Sequence, residues 1–318
     1  MKEKRDFYQL EKNIVAIKER MDKLQSSEKT DKREKVAQLE KQIEIAWAKI
    51  SPHFTPINIV QIARHPKRPY TLDYIEYLTK DFMEIHGDRR AGDDHAIVTG
   101  LGFYRGSTVC FIGHQKGRTT KERIDRNFGQ PNPEGYRKAL RIMKLAEKFG
   151  HPVITLIDTP GAYPGIKAEE QGQAEAIAYN LREISKLKIP IVNVVIGEGG
   201  SGGALAVGVG DAIFMLEYSF YSVISPEGCA AILWKDQGAV TKAAENLKIG
   251  AKDLLDMGII DEIIAEPPGG AHIDREQTFR NVDKVLNMTL KKLQQISPEE
   301  RVKMRYKKFR EIGVFTEK

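Results

Sequence analysis

The sequence predicts an α/β fold, and three observations support that expectation. From residue 96 onward, short apolar runs of strand length alternate with amphipathic segments of helix length. Two of those runs end in glycine-rich loops, as parallel-strand folds do along one edge of the sheet. The first 50 residues differ, carrying two narrow apolar stripes on highly charged segments, the pattern of a helical hairpin.

The elements follow in order. Leu10, Ile14, Ile17, Met21 and Leu24 recur at steps of four and three, and Val36, Leu39, Ile43, Trp47 and Ile50 do the same after a polar break at Ser26-Ser27. Such stripes pair with each other or rest on another surface. Ser51-Pro52-His53-Phe54-Thr55-Pro56 breaks the helix. Thr71 caps a further helix through Tyr74, Ile75, Leu78, Phe82 and Ile85, stopped by Gly87. Ala96-Ile97-Val98 and Thr108-Val109-Cys110-Phe111-Ile112 read as strands on either side of a turn at Arg105-Gly106-Ser107. Asn132-Pro133 opens a helix to Phe149, with Gly150 just past its end. Pro152 to Ile157 is a buried strand, Ala174, Ile177, Leu181 and Ile184 mark a helix, and Ile189 to Ile196 is the next strand. Ala212 to Leu216 and Tyr221 to Ile224 are strands, Pro226 opens a short helix to Trp234, and the last third is helical, with a capping box at Ser297-Pro298-Glu299-Glu300. The division expected is a helical arm over 1–50, an α/β core over 51–270 and a C-terminal helical extension over 271–318.

The 318 residues are 41% hydrophobic and 30% charged, an ordinary globular balance. No run of about 18 apolar residues occurs, so no membrane span is expected. Met1 to Asp6 lacks the apolar core of a signal peptide, and a cytoplasmic protein is expected. Cys110 and Cys229 lie far apart, outside any Cys-x-x-Cys pair, which argues against a disulfide framework, a zinc ribbon or a bound metal in this chain. The net charge of +6 suits an anionic ligand or an acidic partner. Basic residues are interspersed with acids, so no nucleic-acid signature emerges.

The most informative segment is Gly197-Glu198-Gly199-Gly200-Ser201-Gly202-Gly203-Ala204-Leu205, directly after the strand to Ile196. It fits three motifs. Gly197, Gly199 and Gly202 satisfy G-x-G-x-x-G, with Glu217 at the distance of a ribose-binding acid, but a full helix is missing before Gly210-Asp211. Gly199-Gly200-Ser201-Gly202-Gly203 fits a nucleophile elbow, for which only His272 and an acid such as Asp236 or Asp261 are available. The third reading is an oxyanion site built from backbone N–H groups, with no side-chain nucleophile. Close glycine-mediated packing of helix on strand is the plain structural alternative. A second loop, Asp158-Thr159-Pro160-Gly161-Ala162-Tyr163-Pro164-Gly165, also follows a buried strand, and the two would share one cleft.

At these two loops, and at Ser222-Val223-Ile224-Ser225-Pro226-Glu227-Gly228-Cys229, the chain resembles the carboxyltransferase α subunit of bacterial acetyl-CoA carboxylase. Ala63-Arg64-His65-Pro66-Lys67-Arg68-Pro69-Tyr70-Thr71-Leu72-Asp73-Tyr74 and Gly113-His114-Gln115-Lys116-Gly117-Arg118 are similar to the same family. Ala251 to Asp261 resembles the helix-plus-strand signature of the wider crotonase superfamily. The resemblance implies a crotonase-like spiral of ββα units.

The resemblance also implies a chemistry. Carboxybiotin on a biotin carboxyl carrier protein would deliver its carboxyl group to acetyl-CoA, giving malonyl-CoA, the first committed step of fatty acid biosynthesis. Released CO2 leaves a biotin anion able to take the acetyl proton, and the enolate then attacks CO2. The N–H groups of Gly202 and Gly203 would face the ureido oxygen, with Gly161, Ala162, Tyr163, Gly199, Gly200 and Ser201 lining the cleft. A β subunit bearing the family's zinc ribbon would supply the pair for the thioester oxygen and most of the CoA pocket, in an α2β2 assembly. ATP would be used only by the biotin carboxylase partner. Lys116 and Arg118 would contact CoA phosphates, although a solvated charged face is the plainer reading of Lys116 to Arg123. His65, His114 and His151 have no task in this chemistry. A Gly203→Val substitution is expected to spare the fold and abolish transfer.

Overall fold

The computed structural model describes residues 6–26 and 33–313. Ser27, half of the expected polar break, lies outside them. The arm comprises α1 (Phe7–Leu10), α2 (Lys12–Gln25) and α3 (Arg33–Ile50). Then follow α4 (Pro56–Ala63), α5 (Thr71–Leu78), β1 (Lys80–Glu84), β2 (Ile97–Tyr104), β3 (Ser107–His114), α6 (Thr120–Asp125), α7 (Pro133–Lys148) and β4 (Val153–Thr159). Next are α8 (Ile166–Glu170), α9 (Gln173–Ile184), β5 (Ile191–Gly200), α10 (Ser201–Leu205), β6 (Ala212–Leu216), β7 (Phe220–Ser222) and α11 (Pro226–Leu233). The chain finishes with α12 (Val240–Leu247), α13 (Ala251–Asp256), β8 (Glu262–Ile264), α14 (Arg275–Gln294) and α15 (Pro298–Glu311).

The eight strands form one sheet, ordered β1-β2-β3-β4-β5-β6-β8, with β7 beside β5. The β1–β2–β3 part is antiparallel and the rest is parallel. Strand β5 is long enough for two neighbours. Val192 to Val195 pair with β6, whereas Glu198 to Gly200 pair with β7. The sheet therefore turns at the glycine run.

Side chains alternate between two buried faces, as strand geometry requires. Val153, Ile157, Val195 and Met215 meet Tyr136, Ile142 and Met143 of α7 and Ile184 of α9. Ile154, Val194 and Phe214 meet Tyr74 and Leu78 of α5 and Val282, Leu286 and Leu290 of α14. Arg305 of α15 is buried, with Nε and Nη2 on Asp211 at 2.9 Å and its Nη atoms donating to the carbonyls of Ile184, Leu187 and Ile189.

Two expectations need correction. The helix expected to reach Ile85 stops at Leu78, and β1 takes over. The spacing of Leu78, Phe82 and Ile85 mimics a helix, but β2 needs a partner at the sheet edge, and Ile85 N–H donates to Thr99 O at 2.8 Å. The Phe82 ring fills the space over Gly100, where an added Cβ would sit 2.6 Å from it. Thr71 is the first helical residue rather than the cap, and its hydroxyl donates to His114 O at 2.6 Å.

The arm stripes do both things expected of them. Ile14, Ile17, Ile43 and Trp47 pack together and also on Ile62, Tyr218 and Ile273 of the core. Trp47 Nε1–H donates to the Tyr218 hydroxyl at 3.3 Å. Buried Glu11 fastens the arm further: its carboxylate lies 2.8 Å from His272 Nε2 and 3.3 Å from His65 Nε2, and the two imidazoles stack at 3.9 Å. Lys67 N–H donates to His65 Nδ1, which places that ring's proton on Nε2, facing Glu11. Burial alone would raise the Glu11 carboxyl, but hydrogen bonds from His272 and His65 overcome it and hold the group at about 2.

Candidate active site

Strands β4 and β5 run side by side to their carboxyl ends, where Thr159 sits beside Gly199. The loop after β4 and the start of α10 then touch through bare backbone. A Cβ on Gly203 would lie 2.5 Å from the Gly161 carbonyl carbon and 2.7 Å from Ala162 N. One on Gly200 would lie 2.2 Å from Pro160 O. Only glycine allows this approach. The fold-neutral Gly203→Val substitution expected from sequence therefore does not hold, because its side chain would force the two loops apart.

The Gly161 loop is tied down. Thr159 Oγ1 donates to Gly161 O at 2.9 Å and accepts Gly161 N–H at 3.1 Å. Tyr163 N–H donates to Pro131 O, and Gln173 Nε2 donates to both Pro131 O and Tyr163 O, each at 2.9 Å. The Tyr163 ring folds back against Gly165. Ser201 is exposed at φ +50°, at the turn from β5 into α10. As first-turn residues, Gly202 and Gly203 have no intrahelical acceptor for their N–H groups. Gly161, Ala162, Gly200, Ser201 and Gly203 thus come together where the two loops touch, with Gly199 beside Thr159, Gly202 on Ile177 of α9 and Tyr163 turned back on Gly165.

Beneath the cleft lies an ion network that sequence reasoning missed. Asp158 Oδ1 accepts Glu198 N–H at 2.9 Å and Lys116 Nζ at 2.7 Å, joining the two loops at their roots. Lys116 Nζ also meets Glu198 Oε2 at 3.3 Å, and Arg64 Nη2 meets Glu198 Oε1 at 2.6 Å. Arg64 then reaches Glu227 at the start of α11, at 2.7 Å. Burial would raise the Glu198 carboxyl, but Lys116 and Arg64 overcome it and leave it below the usual range. Burial likewise works against the Lys116 ammonium, which Asp158 and Glu198 more than restore. Asp158 and Glu198 each stand near the carboxyl end of a fully buried, largely apolar strand. A charge in such a place must be paired, and that was the signal available.

Lys116 is therefore engaged by carboxylates. Arg118 is exposed, donates to Asp73 at 2.5 Å and stacks 4.5 Å over Tyr70. His114 is wholly buried under the cleft, and desolvation brings its pKa down to about 3, so the ring is neutral.

The geometry decides among the three motif readings. Helix α10 has five residues, too few for a dinucleotide-binding helix. His272 belongs to the Glu11 latch, Asp236 accepts Gly238 N–H, and Asp261 accepts Ile213 N–H and pairs with Lys308, so no triad forms around Ser201. The backbone-donor reading remains, beside the plain packing of α10 on the loop after β4 through glycine.

The family model described as acetyl co-enzyme A carboxylase carboxyltransferase-like matches residues 7–313. The chain belongs to this family. Its relatives include the acetyl-coenzyme A carboxylase carboxyl transferase subunit alpha of Geobacter metallireducens, 52% identical over 98% of this chain and 99% of that one. The subunit alpha of Oceanobacillus iheyensis is 53% identical over 96% of this chain and 97% of its own. Among solved structures, transcarboxylase 12S aligns with a TM-score of 0.56 at 21% identity, over 70% of this chain and 42% of that chain. The β subunit of Pseudomonas aeruginosa geranyl-CoA carboxylase aligns with a TM-score of 0.55 at 17% identity, over 74% of this chain and 45% of that one. These structures share the fold, and the crotonase-like α/β architecture expected from the loops is the one observed. The chain is a carboxyltransferase subunit.

Proposed function

We propose that this chain acts in the cytoplasm as the α half of an α2β2 acetyl-CoA carboxyltransferase, with Gly202 and Gly203 N–H as its oxyanion donors. The observation that carries the reading is this first-turn amide pair, set where the two loops touch with no Cβ between them. Carboxybiotin, when presented by its carrier protein, supplies both the carboxyl group and the base. The chain's own work is to hold the ureido oxygen while negative charge grows on it. Each such donor is worth about 2.7–4 kcal/mol where measured. The donors are useful only if their spacing is fixed before the reaction. The Asp158–Lys116–Glu198–Arg64 network supports that fixity, since it joins the roots of both loops. We assign Lys116 to this positioning role and Arg118, exposed on its tyrosine, to any CoA phosphate that reaches the chain.

The site is half complete. Exposed apolar side chains rim the same edge of the sheet: Ile166, Leu205, Val223, Ile232 and Leu233. A rim of that kind fits a protein partner, which we take to be the zinc-ribbon β subunit, supplying the thioester oxyanion donors and most of the CoA pocket. Co-expression with a β subunit tests the reading. Co-purification and malonyl-CoA formation from acetyl-CoA and carboxybiotin are expected. A stable complex that transfers no carboxyl group would overturn the assignment.

A further inference from the structure

We propose that the groove between α7 and α9, away from the glycine cleft, binds a phosphoryl group, either as free diphosphate or as the diphosphate of a nucleotide. The groove encloses about 200 Å³ and is closed at one end by the segment after β1. At a share of about 30 Å³ per water, that is room for one or two phosphoryl groups and too little for a folded domain.

Its lining is cationic and under-compensated. Arg137, Arg141 and Lys144 project from successive turns of α7, and Arg90 faces them from the closing segment. Arg137 is matched by Asp88 at 2.8 Å, and Lys144 by Glu183 at 2.8 Å. Among the described residues Arg141 has no such partner: its guanidinium donates to the neutral carbonyls of His86 and Gly87, at 2.7–3.0 Å. Among the described residues, the Arg90 guanidinium meets no acceptor, and Glu175 is the one lining carboxylate left without a cation. Burial lowers the Arg141 guanidinium below its ordinary value and Arg89 nearby lowers it further, and the opposing pull of Asp88 and Asp93 does not restore it. An anion in the groove would relieve both effects.

The backbone that carries Arg90 is held in place. Asp88 Oδ1 accepts the N–H groups of Arg90, Ala91 and Gly92 at 2.8–3.0 Å, which fixes the segment carrying Arg90. Guanidinium forks match phosphoryl oxygens two at a time, and converging forks favour a dianion over a single carboxylate. Tyr179 offers a ring beside them, already stacked by Lys144 at 5.4 Å and Arg182 at 4.8 Å.

Calorimetric titration of the full chain with sodium pyrophosphate, and separately with ADP, tests the proposal at ionic strength matched with chloride. One equivalent is expected to bind, and Arg90→Glu and Lys144→Ala are expected to weaken it at least about tenfold with unchanged melting temperature. ADP binding tighter than pyrophosphate assigns the groove to a nucleotide, and equal binding assigns it to the free anion. Both results support phosphoryl recognition. Absence of saturable binding, or equal affinity in wild type and Arg90→Glu, overturns it.

Discussion

Gly203→Ala and Gly202→Ala should behave very differently, although each keeps its N–H. At Gly203 the new Cβ would sit 2.5 Å from the Gly161 carbonyl carbon. Carbon atoms in contact prefer about 3.5–4.0 Å, so the two loops must part by about 1 Å. Overpacking of this kind costs about 1–3 kcal/mol of stability. A misplacement of about 1 Å at a positioned donor costs on the order of 10²-fold in rate. At Gly202 the nearest atom is Ile177 Cδ1 at 3.3 Å, the free end of a side chain that can rotate away. That variant should keep its stability within about 0.5 kcal/mol and its rate within a few-fold. The assay is malonyl-CoA formation by each variant in complex with the β subunit, with thermal melts of the chain alone. A Gly203→Ala enzyme as active as wild type would refute the argument that loop contact sets donor geometry. So would equal losses in the two variants.

Lys116→Met should cost about 3–5 kcal/mol, because Asp158 would stay buried without its cation; a urea midpoint unchanged from wild type would count against the network. Lys116→Arg should recover part of the stability but less of the activity, since a planar fork cannot meet Asp158 and Glu198 as a point charge does. Stability should fall as the pH drops. His114 at about 3 and His272 below its ordinary 6.5 both refuse, when folded, protons that the unfolded chain accepts below about 6.5. Glu11 adds a second loss as the pH falls from about 4.5 to about 2, which Glu11→Gln should remove from a plot of urea midpoint against pH. Ser201→Ala should leave carboxyl transfer near wild type, and organophosphonate labelling of Ser201 in the folded chain would restore the hydrolase reading.

What could be read from sequence was what local chemistry controls. The strand over Pro152 to Ile157 and the helix opened by Pro133 declare themselves through apolar runs, proline and glycine, and both are found. Ser297 accepts Glu300 N–H, as the capping pattern requires. The β1 strand was invisible because Phe82 and Ile85 repeat at helical spacing, and only the exposed edge of β2 draws that segment into extended pairing. The same limit applies in the cleft. The glycines of both loops stand out in the sequence, but their contact through Gly203 and Gly161 is a tertiary fact. The link from Lys116 to Asp158 spans 42 residues and that from Arg64 to Glu198 spans 134, so no local pattern could announce them.

The Glu11 latch has a consequence in time. Its partner His272 lies 261 residues downstream. At about 5–20 residues per second, the ribosome reaches that histidine roughly 13–50 s after making Glu11. The Tyr218 that receives Trp47 is 171 residues behind its partner. During synthesis the arm can first close on itself, α2 against α3, and on the nearby Phe54, Ile62 and His65. Its contacts with Tyr218, His272 and Ile273 must wait for the core to be made, so the first segment born is among the last to be fully seated.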